Sequence, residues 1–205
     1  MSLIEPRIYL ASRSPRRREL LHQIGVRFDL MPFRLPPRED AEVSEDLFPG
    51  ESADDYVVRV ACAKAEHGAK LIAQRRFLPR PVLAADTTLD LDGQNIGKPR
   101  DEAAAIAMLN RLSGRVHRVL TAVAMISAER VEHVLSVTEV RFRELNGDEI
   151  RRYVATGEPF DKAGAYGIQG HAAVFVAEIR GSHSGVAGLP LCETALLLRR
   201  FGYPI

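Results

Sequence analysis

Apolar and polar positions along the chain change their period several times, and each change marks an element. Residues 8–11, Ile-Tyr-Leu-Ala, form a short apolar run that leans toward a strand. Ser14-Pro15 follows, an N-cap with proline at the first helical position. Leu20, Leu21 and Ile24 then recur at helical spacing, and Gly25 ends that helix. Val26, Phe28 and Leu30 alternate, which predicts a second strand. Residues 32–51 carry no period; prolines and the acidic Glu39, Asp40, Glu42, Glu45 and Asp46 mark a loop. Over residues 53–74, Val57, Val60, Ala61, Leu71 and Ile72 fall on one face of a long helix.

Residues 81–86 read as a buried strand that ends at Asp86, and Asp92-Gly93 is a hairpin turn. Asp101 caps a helix that runs to Leu112 and stops at Ser113-Gly114. Two long β-like runs, residues 117–127 and 131–142, come next, then a short helix over 147–155. Seven of the 15 glycines fall between Gly157 and Gly188, and residues 190–201 close the chain as a helix. Helices and strands interleave, yet neighbouring strands joined by short turns require antiparallel pairs. The class is therefore α/β with a mixed sheet.

A composition of 46% hydrophobic and 27% charged residues suits one globular domain over residues 1–205. The 28 basic residues nearly cancel the 27 acidic ones. That balance speaks against a general nucleic-acid binder or a membrane-surface protein, so a basic cluster should meet a small anion. No stretch approaches the roughly 18 apolar residues of a bilayer span, and Glu5 and Arg7 interrupt the N-terminus before a secretory apolar core forms. Cys62 and Cys192 match no metal or redox spacing and are expected as reduced, buried thiols of a cytoplasmic protein.

Against this neutral background, "IYLASRSPRRREL" stands out at residues 8–20. A helix N-terminus favours anions through its unpaired N–H groups and its dipole. Arg13, Arg16, Arg17 and Arg18 oppose that dipole by roughly a few tenths of a kcal/mol each. They are either solvated surface charges or, as a unit, a phosphate-binding group, a role that suits the planar guanidinium. Lys64 lies on the apolar stripe of the long helix, where it either snorkels to water or meets an anion in a cleft. Asp86 stands where a metal ligand or general base is expected, the turn role belonging to Asp92-Gly93. In "GEPFDKAGAYGIQG", residues 157–170, small residues permit close backbone approach while Asp161, Lys162, Tyr166 and Gln169 supply polar reach. Gln169 either reads a base edge or bonds backbone. His117 is expected to be a satisfied, half-buried strand residue, and His67, His171 and His183 fit no zinc spacing. Neither a nucleophile elbow, a P-loop nor a GxGxxG run occurs.

Taken together, "LASRSPRRRELL", "AADTT" with the later "GKP", "LSGRVHRVLTAVA", and "EPFDKAGAYGIQG" followed by "GLPLCET" resemble the Maf family of nucleoside triphosphate pyrophosphatases. The resemblance extends from Ile8 to about Phe201. It implies an elongated mixed β-sheet with flanking helices and two lobes around a central cleft, Maf/ITPase-like, in a single domain that often dimerises. It implies hydrolysis of a nucleoside triphosphate to the monophosphate and pyrophosphate with a divalent cation, Mg²⁺ or Mn²⁺. "DKAGAYGIQG" resembles the dTTP/UTP branch, from which the branch acting on 7-methyl-GTP departs. On the family pattern Asp86 is the proton acceptor. Arg16, Thr87 and Gln169 match the positions of nucleotide choice, and Ser12, Arg17, Lys64 and Lys98 match the triphosphate end. A glutamate after the second strand helps Asp86 hold the metal; that segment is stretched and proline-rich here, so Glu39, Asp40 and Glu42 all qualify, Glu39 being taken first. Arg13 stands where the family has a small residue. The rival expectations are a pyrophosphatase for 7-methyl-GTP or another modified nucleotide, and a non-catalytic nucleotide-binding regulator of cell division. The presence of Asp86 with Lys64 and Lys98 speaks against the regulator.

Overall fold

Strands alternate with helices as the periods predict, and a single sheet collects them all. The computed structural model describes residues 6–31 and 43–205. The strands are β1 (Ile8–Leu10), β2 (Phe28–Leu30), β3 (Val82–Leu91), β4 (Gln94–Ile96), β5 (Val116–Ser127), β6 (Arg130–Phe142) and β7 (Val176–Arg180). The helices are α1 (Pro15–Gln23), α2 (Ala53–Gln74), α3 (Glu102–Leu112), α4 (Gly147–Val154), α5 (His183–Val186) and α6 (Leu191–Arg200). The sheet runs β2-β1-β3-β5-β6-β7, with β4 paired to β3. β1 is parallel to both β2 and β3, and the remaining pairs are antiparallel, so the sheet is mixed.

Local chemistry explains most of the helix starts. Ser52 Oγ accepts the Asp55 N–H at 3.1 Å and Asp101 accepts the Ala104 N–H at 2.7 Å. Asn146 and Glu149 form a full capping box at α4. The N-cap of α6 is Pro190, which has no side-chain group to cap with, and Ser14 occupies the N-cap of α1 without a side-chain capping bond. Its N–H instead meets Ser12 Oγ at 3.2 Å, leaving the first turn of α1 uncapped by its own side chains.

Two apolar clusters sandwich the sheet. One gathers Leu10, Leu21, Leu83, Leu109, Phe142, Ile150 and Leu197 beneath α1, α3, α4 and α6. The other packs Val57, Ala61, Ala65 and Ile72 of α2 on Val82, Ala84, Ala122 and Ala124. β3 and β5 feed both clusters alternately and are buried on both faces, so they read as continuous apolar runs. Small side chains let α2 lie close on the sheet; a Cβ added at Gly68 would come within 2.9 Å of Val82 Cγ1. No helix among the described residues is long and apolar enough to cross a membrane.

Several expectations change. β3 does not end at Asp86 but continues through Leu91, because Thr87–Asp90 pair onward with Arg118–Thr121 of β5. Asp86 thus sits mid-strand, 8% exposed. β7 and α5 emerge from the glycine-dense segment, where no period announced them. His117 is fully buried rather than half-buried. Cys62 is half-buried and Cys192 exposed, so the expectation of two buried thiols fails: Cys192 lies in the first turn of α6, on its outer side.

Candidate active site

The turn between β1 and α1, the middle of β3, one face of α2 and the segment after α4 converge on a cleft of about 480 Å³. That is the size of a small-ligand pocket. Ser12, Arg16, Arg17, Lys64, Asp86, Thr87, Lys98 and Gln169 all line it, and so do Arg13, Glu45 and Asp161.

One end is a knot of charge. Lys64 Nζ donates to Asp86 Oδ1 at 2.8 Å and to Glu45 Oε1 at 2.5 Å. Lys98 Nζ reaches the other Glu45 oxygen at 3.4 Å. Burial pushes the Glu45 carboxyl up, but the hydrogen bonds and charges of Lys64 and Lys98 outweigh it and hold it below its ordinary value. Asp86 Oδ2 makes no hydrogen bond among the described residues and is left to accept one. Lys64 therefore lies in the cleft and does not reach past it to water.

Glu45 is the residue that sequence reasoning passed over. It is one of six acidic residues in the loop, and nothing in the local sequence ranks it. α2 holds it in place. Tyr56 Oη donates to Glu45 O at 3.0 Å, and Arg59 Nη2 donates to Asp46 O at 2.8 Å. Arg59 also grips Glu51 at 2.6 and 2.8 Å and lies 4.0 Å over the Phe48 ring. Burial, then the Asp86 and Glu45 charges, push the Tyr56 phenol up to about 12, which keeps it a donor. Glu39, Asp40 and Glu42 lie outside the described residues.

Arg17 sits behind the charge knot. Its Nε donates to Gly188 O at 2.9 Å, Nη2 to Thr87 Oγ1 at 3.2 Å and Nη1 to Ser12 Oγ at 3.4 Å. Thr121 Oγ1 donates to Gly185 O at 2.8 Å, so in its 3.0 Å contact with Thr87 the Thr87 hydroxyl must be the donor. Both sides of Thr87 are thereby used within the protein, and its visible work is to hold Arg17. Three of the five guanidinium N–H groups are spent, leaving two for a ligand. Burial lowers the Arg17 pKa, Asp86 raises it, Arg16 lowers it further and Glu45 raises it.

The other end is built by the segment after α4. Arg16 Nη1 reaches Asp161 Oδ2 at 3.4 Å across the cleft. Gly164 turns at φ 70°, where a Cβ would overlap the Leu89 side chain. Tyr166 is buried with its hydroxyl 2.8 Å from His117 Nε2, while His117 Nδ1 has no partner among the described residues. Gln169 is exposed in the cleft wall, and its amide makes no hydrogen bond among the described residues. Of its two expected roles, bonding backbone is thus not taken up. Arg13 is exposed at the mouth and Arg18 half-buried.

The donor set fits a hard divalent cation. Asp86 and Glu45 point carboxylate oxygens at one cationic atom, Lys64 Nζ, so the fold already brings them around a shared positive charge. Mg²⁺ and Mn²⁺ favour such oxygens, and Mg²⁺ commonly takes only one or two carboxylates plus substrate phosphates. Among the described residues no group of three or more His, Cys, Asp or Glu forms a complete protein cage.

Comparison with known proteins converges on one group. The family profile described as "Maf-like protein" matches residues 7–201. The dTTP/UTP pyrophosphatase of Aromatoleum aromaticum (strain DSM 19018 / LMG 30748 / EbN1) is 60% identical over 206 residues, 100% of both chains. That of Dechloromonas aromatica (strain RCB) is 58% identical, covering 96% of this chain and 98% of the other. That of Ralstonia nicotianae (strain ATCC BAA-1114 / GMI1000) is 56% identical, covering 94% and 93%.

Proposed function

The chain belongs to the Maf-like family, and from that premise we propose that it is a dTTP/UTP pyrophosphatase, hydrolysing the nucleoside triphosphate to the monophosphate and pyrophosphate. The observation that carries the reading is one cleft with Asp86, Lys64, Lys98 and Arg17 at one end and the open Gln169 amide at the other. The names of the relatives support dTTP and UTP; none of those three names a methylated nucleotide or a regulator.

Arg17 and Lys98, with Ser12, bind the triphosphate oxygens. Arg16 exchanges Asp161 for the nucleotide on entry, since their 3.4 Å contact is long and half exposed. Asp86 is the proton acceptor: Lys64 fixes one of its oxygens, and the other takes a proton from the water that attacks the α-phosphorus. As the new P–O bond forms, the bond from the α-phosphorus to the bridging oxygen breaks and pyrophosphate leaves. Lys98 and Arg17 offset the negative charge that builds on the leaving group. Asp86 and Glu45 are the residues that would hold Mg²⁺ or Mn²⁺, which when bound neutralises phosphate charge and lowers the pKa of water. Gln169, whose amide makes no hydrogen bond among the described residues, meets the O4/N3 edge of uracil or thymine. The chain acts as one domain, because β3 and β5 serve both apolar clusters. A cytoplasmic location and a homodimer go with this reading.

The test is pyrophosphate release over a panel of nucleoside triphosphates with Mg²⁺, Mn²⁺ or EDTA. Turnover of dTTP and UTP that EDTA abolishes is expected. Faster hydrolysis of 7-methyl-GTP, or no hydrolysis at all, overturns the assignment.

A further inference from the structure

Residues 166–170 carry Gln169 but make few backbone bonds of their own; Gly170 N–H to Gly167 O at 3.0 Å is the one that closes their turn. What braces them is a side chain from outside. Glu158 Oε1 accepts the Tyr153 hydroxyl at 2.9 Å, and Glu158 Oε2 accepts the His171 N–H at 2.9 Å. The Tyr153 oxygen in turn accepts the Gly167 N–H at 3.3 Å. One carboxylate thus reaches the chain on both sides of Gln169, at residue 171 directly and at residue 167 through the phenol. Packing seals the arrangement. A Cβ on Gly170 would overlap the Glu158 carboxylate, and one on Gly167 would come within 2.6 Å of Lys162 Cε. Lys162 Nζ holds the Glu158 carbonyl at 2.6 Å. Tyr153 is itself fixed, buried in α4 with its ring edge-on to Phe175 at 5.1 Å. Burial and the Glu158 carboxylate push its phenol well up, so it remains a donor.

An amide at the end of a flexible side chain reads a base edge only if its backbone is held still, because small displacements cost much of the discrimination. We propose that Glu158 and Tyr153 are positioning residues for nucleotide selection, bracing residues 167–171 so that the Gln169 amide meets the pyrimidine edge. The inference rests on the dTTP/UTP reading.

Tyr153→Phe tests it, keeping the ring and removing only the hydroxyl. The expected result is a KM for dTTP and UTP raised about tenfold with kcat changed less than about twofold, and a reduced preference over dCTP. In the double variant with Gln169→Ala, the loss should be no greater than that of Gln169→Ala alone, because the brace then has no amide to aim. Glu158→Gln, close in shape, carries the same expectation if Tyr153→Phe does not fold. An unchanged KM and preference, a fall in kcat alone, or a full additional loss on top of Gln169→Ala overturns the proposal. The two failures separate. A wild-type protein idle on dTTP and UTP refutes the reading of function, and the brace is then judged by the same KM shift on whichever nucleotide it hydrolyses.

Discussion

At Asp86, burial and a fixed partner set the chemistry. The carboxylate is 8% exposed and ties one oxygen to Lys64, so Asp86→Asn keeps the shape while removing the proton acceptor. A fall in kcat of about 10²- to 10⁴-fold is expected with the melting temperature little changed. Near-wild-type turnover in a pyrophosphate-release assay would remove Asp86 from its role. His117 gives a second prediction, in pH. Burial lowers its pKa to about 4, against roughly 6.5 in the unfolded chain. The unfolded state therefore binds the proton first as pH falls. The stabilisation is complete above about pH 6.5 and is lost progressively toward pH 4, by at most about 3 kcal/mol. His117→Gln, which keeps a partner for the Tyr166 hydroxyl but does not titrate, should flatten that part of the curve in urea unfolding between pH 7 and pH 4.5. An unchanged slope would assign acid sensitivity to other groups.

At the scale of elements, α2 has two duties that its apolar stripe alone does not reveal. Its inner face lies close on β3, and a Cβ on Gly68, one turn beyond Lys64, would come within 2.9 Å of Val82 Cγ1. Gly68→Leu should cost about 1–3 kcal/mol by overpacking. It should also raise the KM, because the displaced turn carries Lys64; a stable variant with unaltered kinetics would contradict the close packing. Its first turns clasp residues 45–51 through Tyr56 and Arg59. Arg59→Ala should cost on the order of 1–3 kcal/mol, because the Glu51 side chain it leaves behind is only 8% exposed. The Mg²⁺ concentration for half-maximal turnover is expected to rise on the order of tenfold, since the segment that carries Glu45 loses the Arg59 bond to Asp46 O next to it. A titration of activity against Mg²⁺, paired with calorimetry of Mg²⁺ binding, decides it.

On the scale of the whole molecule, the cleft is bordered by elements that belong to opposite faces of one sheet, so a ligand that spans it should stabilise everything at once. A non-hydrolysable dTTP analogue with Mg²⁺ at a hundredfold its Kd should add about 3 kcal/mol, read as a single shifted transition in thermal unfolding. Two separate transitions would mean that the two apolar clusters unfold independently. Much of this plan was legible along the chain. Period and punctuation marked α2, α3, α6 and the hairpin at Asp92-Gly93, because the 3.6-residue stripe and the turn residues act locally. The order of motifs, with "AADTT" and "EPFDKAGAYGIQG" far apart, marked the residues that meet in the cleft. β7 and α5 stayed hidden, since short elements among glycines owe their form to neighbours such as β6 and Ser182 rather than to a period of their own. The sequence by itself determined the longer helices and strands and which side chains can carry phosphate chemistry, because those depend on residue type and near neighbours. Only the tertiary structure decided that Asp86 lies mid-strand, that Glu45 meets Lys64, and that Thr87 serves Arg17. Those outcomes depend on contacts across 22, 19 and 70 positions of chain, and only the packed fold brings such positions together.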